Sequence, residues 1–290
     1  VSPSSPIARE KAERGLSILR AAGYRIEFAP NCFAVDDHLA GTDEQRARDL
    51  TEAFEDPEVA LVYCSRGGYG AARLLPYLDI QRLADSRKLF AGFSDVTTLH
   101  VALQHCGLAT LHAPMAITLS VERESWVGES LLAALRGDNP IPPEAPAGRC
   151  LVPGMAEGDV IGGCLCLLCD TIGTDYPLHA EDKILIIEDV DEPPHRVDAM
   201  LTHLLNAGIL QRCAGIVVGE MTRTDERVDE GIGARPWRKI VEERIAPLGI
   251  PAIIDFPFGH SPQMLSLPLG VRARLDAALG RLEYLEPLCA

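Results

Sequence analysis

The sequence predicts an α/β protein, with a parallel sheet and flanking helices in its first part and a smaller α/β block after it. Three observations carry this prediction. Helix-period and strand-period segments alternate over the first ~115 residues, the pattern that places helices on the faces of a parallel sheet. Prolines then accumulate at 140, 142, 143, 146 and 153, and a second set of strand and helix patterns follows. The chain has 290 residues, 47% of them hydrophobic, which suits one large domain or two medium ones. The expected division is 1–120, a linker at 121–154, and 155–290.

Each element has a local reason. Ile7 to Ala22 has a helical period, with Leu16, Leu19 and Ala22 on one face and Gly23 as a stop. Tyr24 to Ala29 predicts a short strand. Thr42-Asp43-Glu44-Gln45 is a capping box that opens a helix carrying Ala47, Leu50 and Phe54. Val59 to Cys64 is an apolar strand that feeds the loop Ser65-Arg66-Gly67-Gly68-Tyr69-Gly70 and a helix from Ala71. Leu89 to Gly92 is the next strand, and a helix starts just beyond Ser94. In the second block, Lys183 to Glu188 is a strand, and Val197, Met200, Leu201, Leu204 and Leu205 form a helical stripe. Ile216 to Val218 and Ala252 to Phe256 are further strands.

Composition excludes some classes of function. The formal net charge is −15, which disfavours nonspecific binding to nucleic acid or to an anionic membrane surface. No apolar stretch approaches the ~18 residues of a membrane span. Val1-Ser2-Pro3-Ser4-Ser5-Pro6 is not a basic-then-apolar signal peptide. The start is abrupt, as if a preceding strand had been trimmed. Nine cysteines, at 32, 64, 106, 150, 164, 166, 169, 213 and 289, point to reduced thiols in a cytosolic protein. Cys164, Cys166 and Cys169 are interleaved with leucines and have no CxxC pair elsewhere, so packing is expected there and no metal.

Ser94 is the candidate nucleophile. In Gly92-Phe93-Ser94-Asp95-Val96 a strand breaks at a glycine and a helix begins, the form of a nucleophile elbow, with Val96 in place of the second glycine. Ser followed by Asp ahead of an apolar run is also an ordinary N-cap, and the segment alone leaves both readings open. The glycine loop is neither a Walker loop nor a dinucleotide fingerprint. It suits a tight turn that aims backbone N–H groups at a ligand, with Arg66 as a cation for a carboxylate and Tyr69 beside it; a plain structural turn explains it equally. Glu188 closes an apolar strand, a position suited to orienting a histidine, whereas Asp189, Asp191, Glu192 and His195 fit no zinc or calcium spacing. His260 lies in a constrained loop, Gly259-His260-Ser261-Pro262. His100, His105, His112 and His203 sit in helical or apolar stretches and are expected to be structural.

Taken together, these segments resemble the LD-carboxypeptidases, the muramoyltetrapeptide carboxypeptidase family of serine peptidases. The resemblance runs through Ser65–Gly70 with Arg73–Asp79, Gly92–Thr97, Ile187–Glu192, and Gly259-His260 with Leu267–Gly270, in the family's order. It implies a Ser94–Glu188–His260 triad on a Rossmann-like N-terminal domain and a C-terminal domain, with no cofactor. The backbone N–H groups of Asp95 and Gly68 are the expected oxyanion donors. It further implies a cytoplasmic homodimer that removes the terminal D-Ala from a murein tetrapeptide or muropeptide in peptidoglycan recycling. A sister branch, the microcin C self-immunity hydrolases, cleaves acyl-sulfamoyl-adenylates instead. The sequence departs from the family where Ala113 replaces the usual Gly, and where Cys164 and Cys166 replace the usual Asn and Ser. A non-catalytic small-molecule binding protein on the same architecture is the alternative outside enzymes.

Overall fold

The computed structural model describes residues 1–288 apart from Asp229, Glu230, Ile232 and Ala234, and it divides the chain into two units. The first is Val1–Pro142 with Leu265–Gly270 and Leu288; the second is Pro143–Met264 with Val271–Pro287. Cys289, one of the nine cysteines, lies outside the described residues.

In the first unit, the helix predicted from Ile7 is two short helices, α1 (Arg9–Gly15) and α2 (Ser17–Ala21), meeting at Leu16. The strand predicted at Tyr24–Ala29 is absent. Its alternation is real, since Tyr24, Ile26 and Phe28 pack against the core, but the segment joins no ladder. Helix α3 (Asp43–Glu55) opens on the predicted capping box, with Thr42 Oγ1 accepting from Gln45 N at 3.3 Å and Gln45 Oε1 from Thr42 N at 3.0 Å. Strand β1 (Leu61–Tyr63) leads through the glycine loop to a 3-10 turn, Ala71–Tyr77, and α4 (Ile80–Asp85). Then come β2 (Leu89–Gly92), α5 (Thr97–His105), β3 (Thr110–His112) and α6 (Ala116–Leu119).

β1, β2 and β3 are parallel neighbours, as crossover helices between them require. The fourth strand is Leu267–Leu269, which returns from far along the chain to pair antiparallel with β3. Pro268 fits because this is an edge strand, where proline's missing N–H is tolerated.

The stretch 121–154, expected to be a linker, carries regular structure. Helix α7 (Ser125–Leu135) buries Trp126, Val127, Leu131 and Ala134, and Leu131 and Ala134 belong to the same core as Ala91 and Leu111 of the sheet. The two units divide after it, between Pro142 and Pro143.

The second unit is built on a seven-stranded sheet. In chain order it contains β4 (Arg149–Val152), β5 (Met155–Cys164), α8 (Leu165–Asp170), β6 (Ile184–Val190), α9 (Pro194–Asn206), β7 (Gly215–Thr222), α10 (Trp237–Ile245) and β8 (Ala252–Ile254). With Leu267–Leu269 numbered β9, the last strands are β10 (Arg272–Asp276) and β11 (Arg281–Tyr284). The order across the sheet is β11-β10-β5-β6-β7-β8-β4, parallel from β5 to β8 and antiparallel at both flanks.

Strand β6 is central, and Ile184, Leu185, Ile186 and Ile187 are all fully buried, the mark of a parallel strand covered on both faces. Each such side chain contributes roughly 1.5–3 kcal/mol relative to exposure. The stripe on α9 buries Val197, Met200, Leu201 and Leu204 as the period predicts. The protein is thus α/β, with a parallel-dominated sheet in the first unit and a mixed sheet in the second. Among the described residues, no helix is long and apolar enough to cross a membrane.

Candidate active site

Ser94 has φ = 66°, the left-handed region that costs a non-glycine residue about 1–2 kcal/mol. Phe93 before it is fully extended, and the chain turns into a 3-10 turn, Ser94–Val96, that runs on into α5. The caps of that turn and of α5 fall on Phe93 and Val96, so the N-cap reading of Ser94 does not hold. Retained strain at a strand-to-helix corner is the geometry of an elbow.

The surroundings hold the corner rigid. The Asp95 side chain, almost fully buried, accepts from Ala71 N at 2.8 Å and so ties the elbow to the end of the glycine loop. His100, fully buried, donates from Nε2 to Gly92 O at 2.9 Å and accepts at Nδ1 from Thr110 Oγ1 at 2.9 Å. Burial drives its pKa down to about 3, which keeps the ring neutral, and the Gly92 carbonyl, which can only accept, fixes this tautomer. His100 is therefore a strut for the strand that carries Ser94.

The glycine loop lies against the elbow. A Cβ added at Gly67 would stand 3.0 Å from Ser94 Oγ and 3.3 Å from Asp95 N, so only glycine lets the loop come this close. At Gly68, named from the sequence, an added Cβ would meet Ser5 Oγ at 2.3 Å, so the loop is also packed closely on Ser5. The loop is pinned from below by Arg46, a buried charge that periodicity did not single out. Its guanidinium bonds Gly70 O at 2.9 Å and also reaches Pro3 O and Asp43. Arg66 donates from Nη1 to Pro6 O at 3.1 Å, while its buried Nε has no hydrogen-bond partner among the described residues. Tyr69 is exposed, with its ring 5.7 Å from that of His38.

In the second unit, Glu188 is fully buried near the end of β6, where the register with β7 shifts between Ile187 and Asp189. The extra residue is on β7, where Gly219 and Glu220 stand opposite Glu188, so β6 itself keeps its alternation. Glu188 Oε2 accepts from His260 Nδ1 at 2.7 Å and from His260 N at 3.2 Å. The carboxylate thereby keeps the proton on Nδ1 and leaves Nε2 as the basic nitrogen. Burial pushes the His260 pKa down, but the Glu188 charge and hydrogen bond outweigh it, and the net direction is upward from 6.5. Gly259 has φ = 92°, and a Cβ there would stand 2.4 Å from Glu188 Oε2.

The acidic run, in which the sequence sets only Glu188 apart, is split among three duties. Glu188 holds His260. Asp191 is clamped by Arg223 and Arg227, whose hydrogen bonds hold its pKa down at about 2. Asp189, buried beside Glu188, has its pKa raised to about 6 by burial and by the Glu188 charge, and it faces Cys164 and Cys166. That last grouping escaped the sequence reading, which sought a second CxxC pair, whereas the partner is a carboxylate on the neighbouring strand. His195 is exposed on α9.

Comparison with known proteins identifies the family. Residues 1–113 match the family model of the LD-carboxypeptidase N-terminal domain, and residues 157–275 that of the LD-carboxypeptidase C-terminal domain. The murein tetrapeptide carboxypeptidase of Pseudomonas aeruginosa is 34% identical over 288 residues, covering 95% of this chain and 92% of that protein. The crystal structure of muramoyltetrapeptide carboxypeptidase from Oxalobacter formigenes has a TM-score of 0.83 at 27% identity, covering 98% of this chain and 96% of that one. An MccF-like protein from Bacillus anthracis has a TM-score of 0.86 at 25% identity, covering 98% and 94%. On both halves of its length, the chain belongs to the LD-carboxypeptidase family.

Proposed function

We propose that this protein is a serine peptidase that hydrolyses the bond between the L-centre of meso-diaminopimelate and the terminal D-Ala of murein tetrapeptides. Ser94 is the nucleophile, His260 the general base and acid, and Glu188 the group that orients and charges the imidazole. His260 Nε2 takes the Ser94 proton as Oγ attacks the carbonyl, then returns it to the departing D-Ala amine. Water hydrolyses the acyl-enzyme by the same route. The backbone N–H of Asp95 and one from the Gly67–Gly68 turn stabilise the oxyanion. Arg66, with a buried donor still unsatisfied and Tyr69 near it in the loop, is the candidate anchor for the D-Ala carboxylate. The reading carries with it a cytoplasmic, homodimeric enzyme of peptidoglycan recycling.

The observation that carries the proposal is the buried Glu188 carboxylate on His260 Nδ1, because a histidine held this way is prepared for proton transfer. The substrate class is supported by the murein tetrapeptide carboxypeptidase at 34% identity. Hydrolysis of an acyl-sulfamoyl-adenylate would need an aromatic face for adenine; both tryptophans, Trp126 and Trp237, are buried, which leaves the exposed ring of Tyr69 in the glycine loop. The test is turnover of a murein tetrapeptide beside an aminoacyl-sulfamoyl-adenylate. Release of D-Ala from the former and no cleavage of the latter is expected; the reverse overturns the substrate assignment.

The base must be neutral to act, so kcat/KM should fall as pH drops through the His260 pKa. With that pKa raised, the acid limb should have its midpoint above 6.5. Glu188→Gln removes the charge but leaves the burial that pushes the pKa down, so its midpoint should move to lower pH. An unchanged acid limb in Glu188→Gln would show that this pair does not control the titration.

A further inference from the structure

We propose that Cys164, Cys166 and Asp189 form a binding site for a thiophilic divalent ion of the zinc class, next to the Glu188–His260 pair. The three potential ligand atoms make a nearly equilateral triangle. Cys164 Sγ and Cys166 Sγ are 3.5 Å apart, and Asp189 Oδ1 is 3.5 Å from the first and 3.8 Å from the second. Tetrahedral zinc, with Zn–S of about 2.3 Å and Zn–O of about 2.0 Å, requires S···S of about 3.8 Å and S···O of about 3.5 Å. The triangle fits one face of that tetrahedron to within a few tenths of an ångström.

The carboxylate is already oriented for this duty. Its Oδ2 is held by Cys166 N at 2.8 Å, and Val190 N donates to Oδ1 at 2.8 Å, which fixes Oδ1 towards both sulfurs. Supporting bonds of this kind orient a metal ligand before the ion arrives. Cys164 and Asp189 are buried while Cys166 is half-exposed, so the sulfur side offers an entry path. Two thiolates and one carboxylate favour a soft ion over magnesium or calcium, and three protein ligands leave the fourth position to water. Cys164 is the register partner of Glu188 across β5 and β6, so an occupied site would brace the strand end that holds the histidine. A disulfide fits the geometry less well, because the sulfurs would have to close from 3.5 Å to about 2.05 Å across a single intervening residue.

The test is binding to the reduced, metal-stripped full chain and uses no activity readout. Co²⁺ is titrated in, and the near-ultraviolet thiolate-to-cobalt band and visible tetrahedral bands are followed; Zn²⁺ is then added. One Co²⁺ per chain with a thiolate band, displaced by Zn²⁺, is expected. Cys166→Ser should lose most of the thiolate band, and Asp189→Asn should weaken binding by ~10-fold or more. Cys169→Ser should keep the site, since that thiol is bonded to Met200 O at 3.5 Å. Unfolding curves identify any variant that fails to fold, and the wild-type stoichiometry and spectrum then decide alone. No thiolate band in the wild type, an unchanged band in folded Cys166→Ser, loss of the site in Cys169→Ser, or a Cys164–Cys166 disulfide under the same reducing conditions would each overturn the proposal.

Discussion

Replacing Ser94 with alanine is expected to lower kcat on a murein tetrapeptide by ~10⁴-fold or more, with little change in substrate binding. The proposed chemistry has no other nucleophile, and the remaining groups supply only binding and oxyanion stabilisation. His260→Ala should be comparably severe. The two residues act as one unit, so the double variant should be hardly slower than either single one. Steady-state kinetics with a binding measurement on each variant check this. Turnover near that of the unaltered enzyme in either single variant would remove the triad from the account.

Gly259→Ala should be severely damaging, although Gly259 has no chemistry of its own. The new Cβ would lie 2.4 Å from Glu188 Oε2 and 2.7 Å from its carboxyl carbon, about 1 Å inside ordinary contact. Relief requires either Glu188 or the His260 loop to move by that distance, and a misplacement of about 1 Å in a catalytic array costs ~10²-fold. The backbone adds to the loss, since φ = 92° is unfavourable for any residue with a Cβ. A fall of ~10²-fold in kcat/KM and a stability loss of about 1–3 kcal/mol are expected. Kinetics and denaturant melts together test it, and wild-type values in both would show that the pair tolerates slack.

Much of this architecture was legible because the deciding signals are local. The capping box at Thr42, the continuous apolar run before Glu188 and the stripe on α9 each sit within one element, and each has the predicted structure. The elbow was legible for the same reason, since a glycine and a serine between strand and helix patterns need no distant partner. What was lost depends on contacts far along the chain. Tyr24–Ala29 alternates like a strand but finds no edge to pair with. Leu267–Leu269 looks too short and carries a proline, yet it completes a sheet built more than 150 residues earlier, Thr110↔Leu269 among its pairs. Helix α7 was hidden by the prolines that follow it and by Gly128 within it, although Leu131 and Ala134 face one core.

The candidate site divides along the same line. Ser94, Glu188 and His260 are candidates by their strand ends and constrained loops, and only the family resemblance joins them as a triad; the Glu188–His260 hydrogen bond lies within one unit. Glu188 could be set apart from Asp189 by its place at the end of the apolar run, but the duty of Asp189 could not be read. Adjacent residues on a strand face opposite sides, so one carboxylate meets the histidine and the other meets the cysteines. Arg46 escaped notice because a charged residue on a capped, amphipathic helix is ordinarily solvated. Only the fold reveals that it lies beneath the glycine loop.

The most direct test of the central claim is the handedness of the leaving group. An enzyme that anchors the D-Ala carboxylate on a cation while the L-configured carbonyl meets Ser94 must lose that anchor with the L-Ala epimer, because carboxylate and methyl exchange places. A buried polar partner left unpaired costs about 1–3 kcal/mol, more when charged, so discrimination of ~10²-fold or more is expected. The measurement is kcat/KM on tetrapeptides that differ only in terminal D-Ala or L-Ala. The D-epimer is expected to be favoured by that margin; equal values, or a preference for L-Ala, would contradict an LD-carboxypeptidase activity.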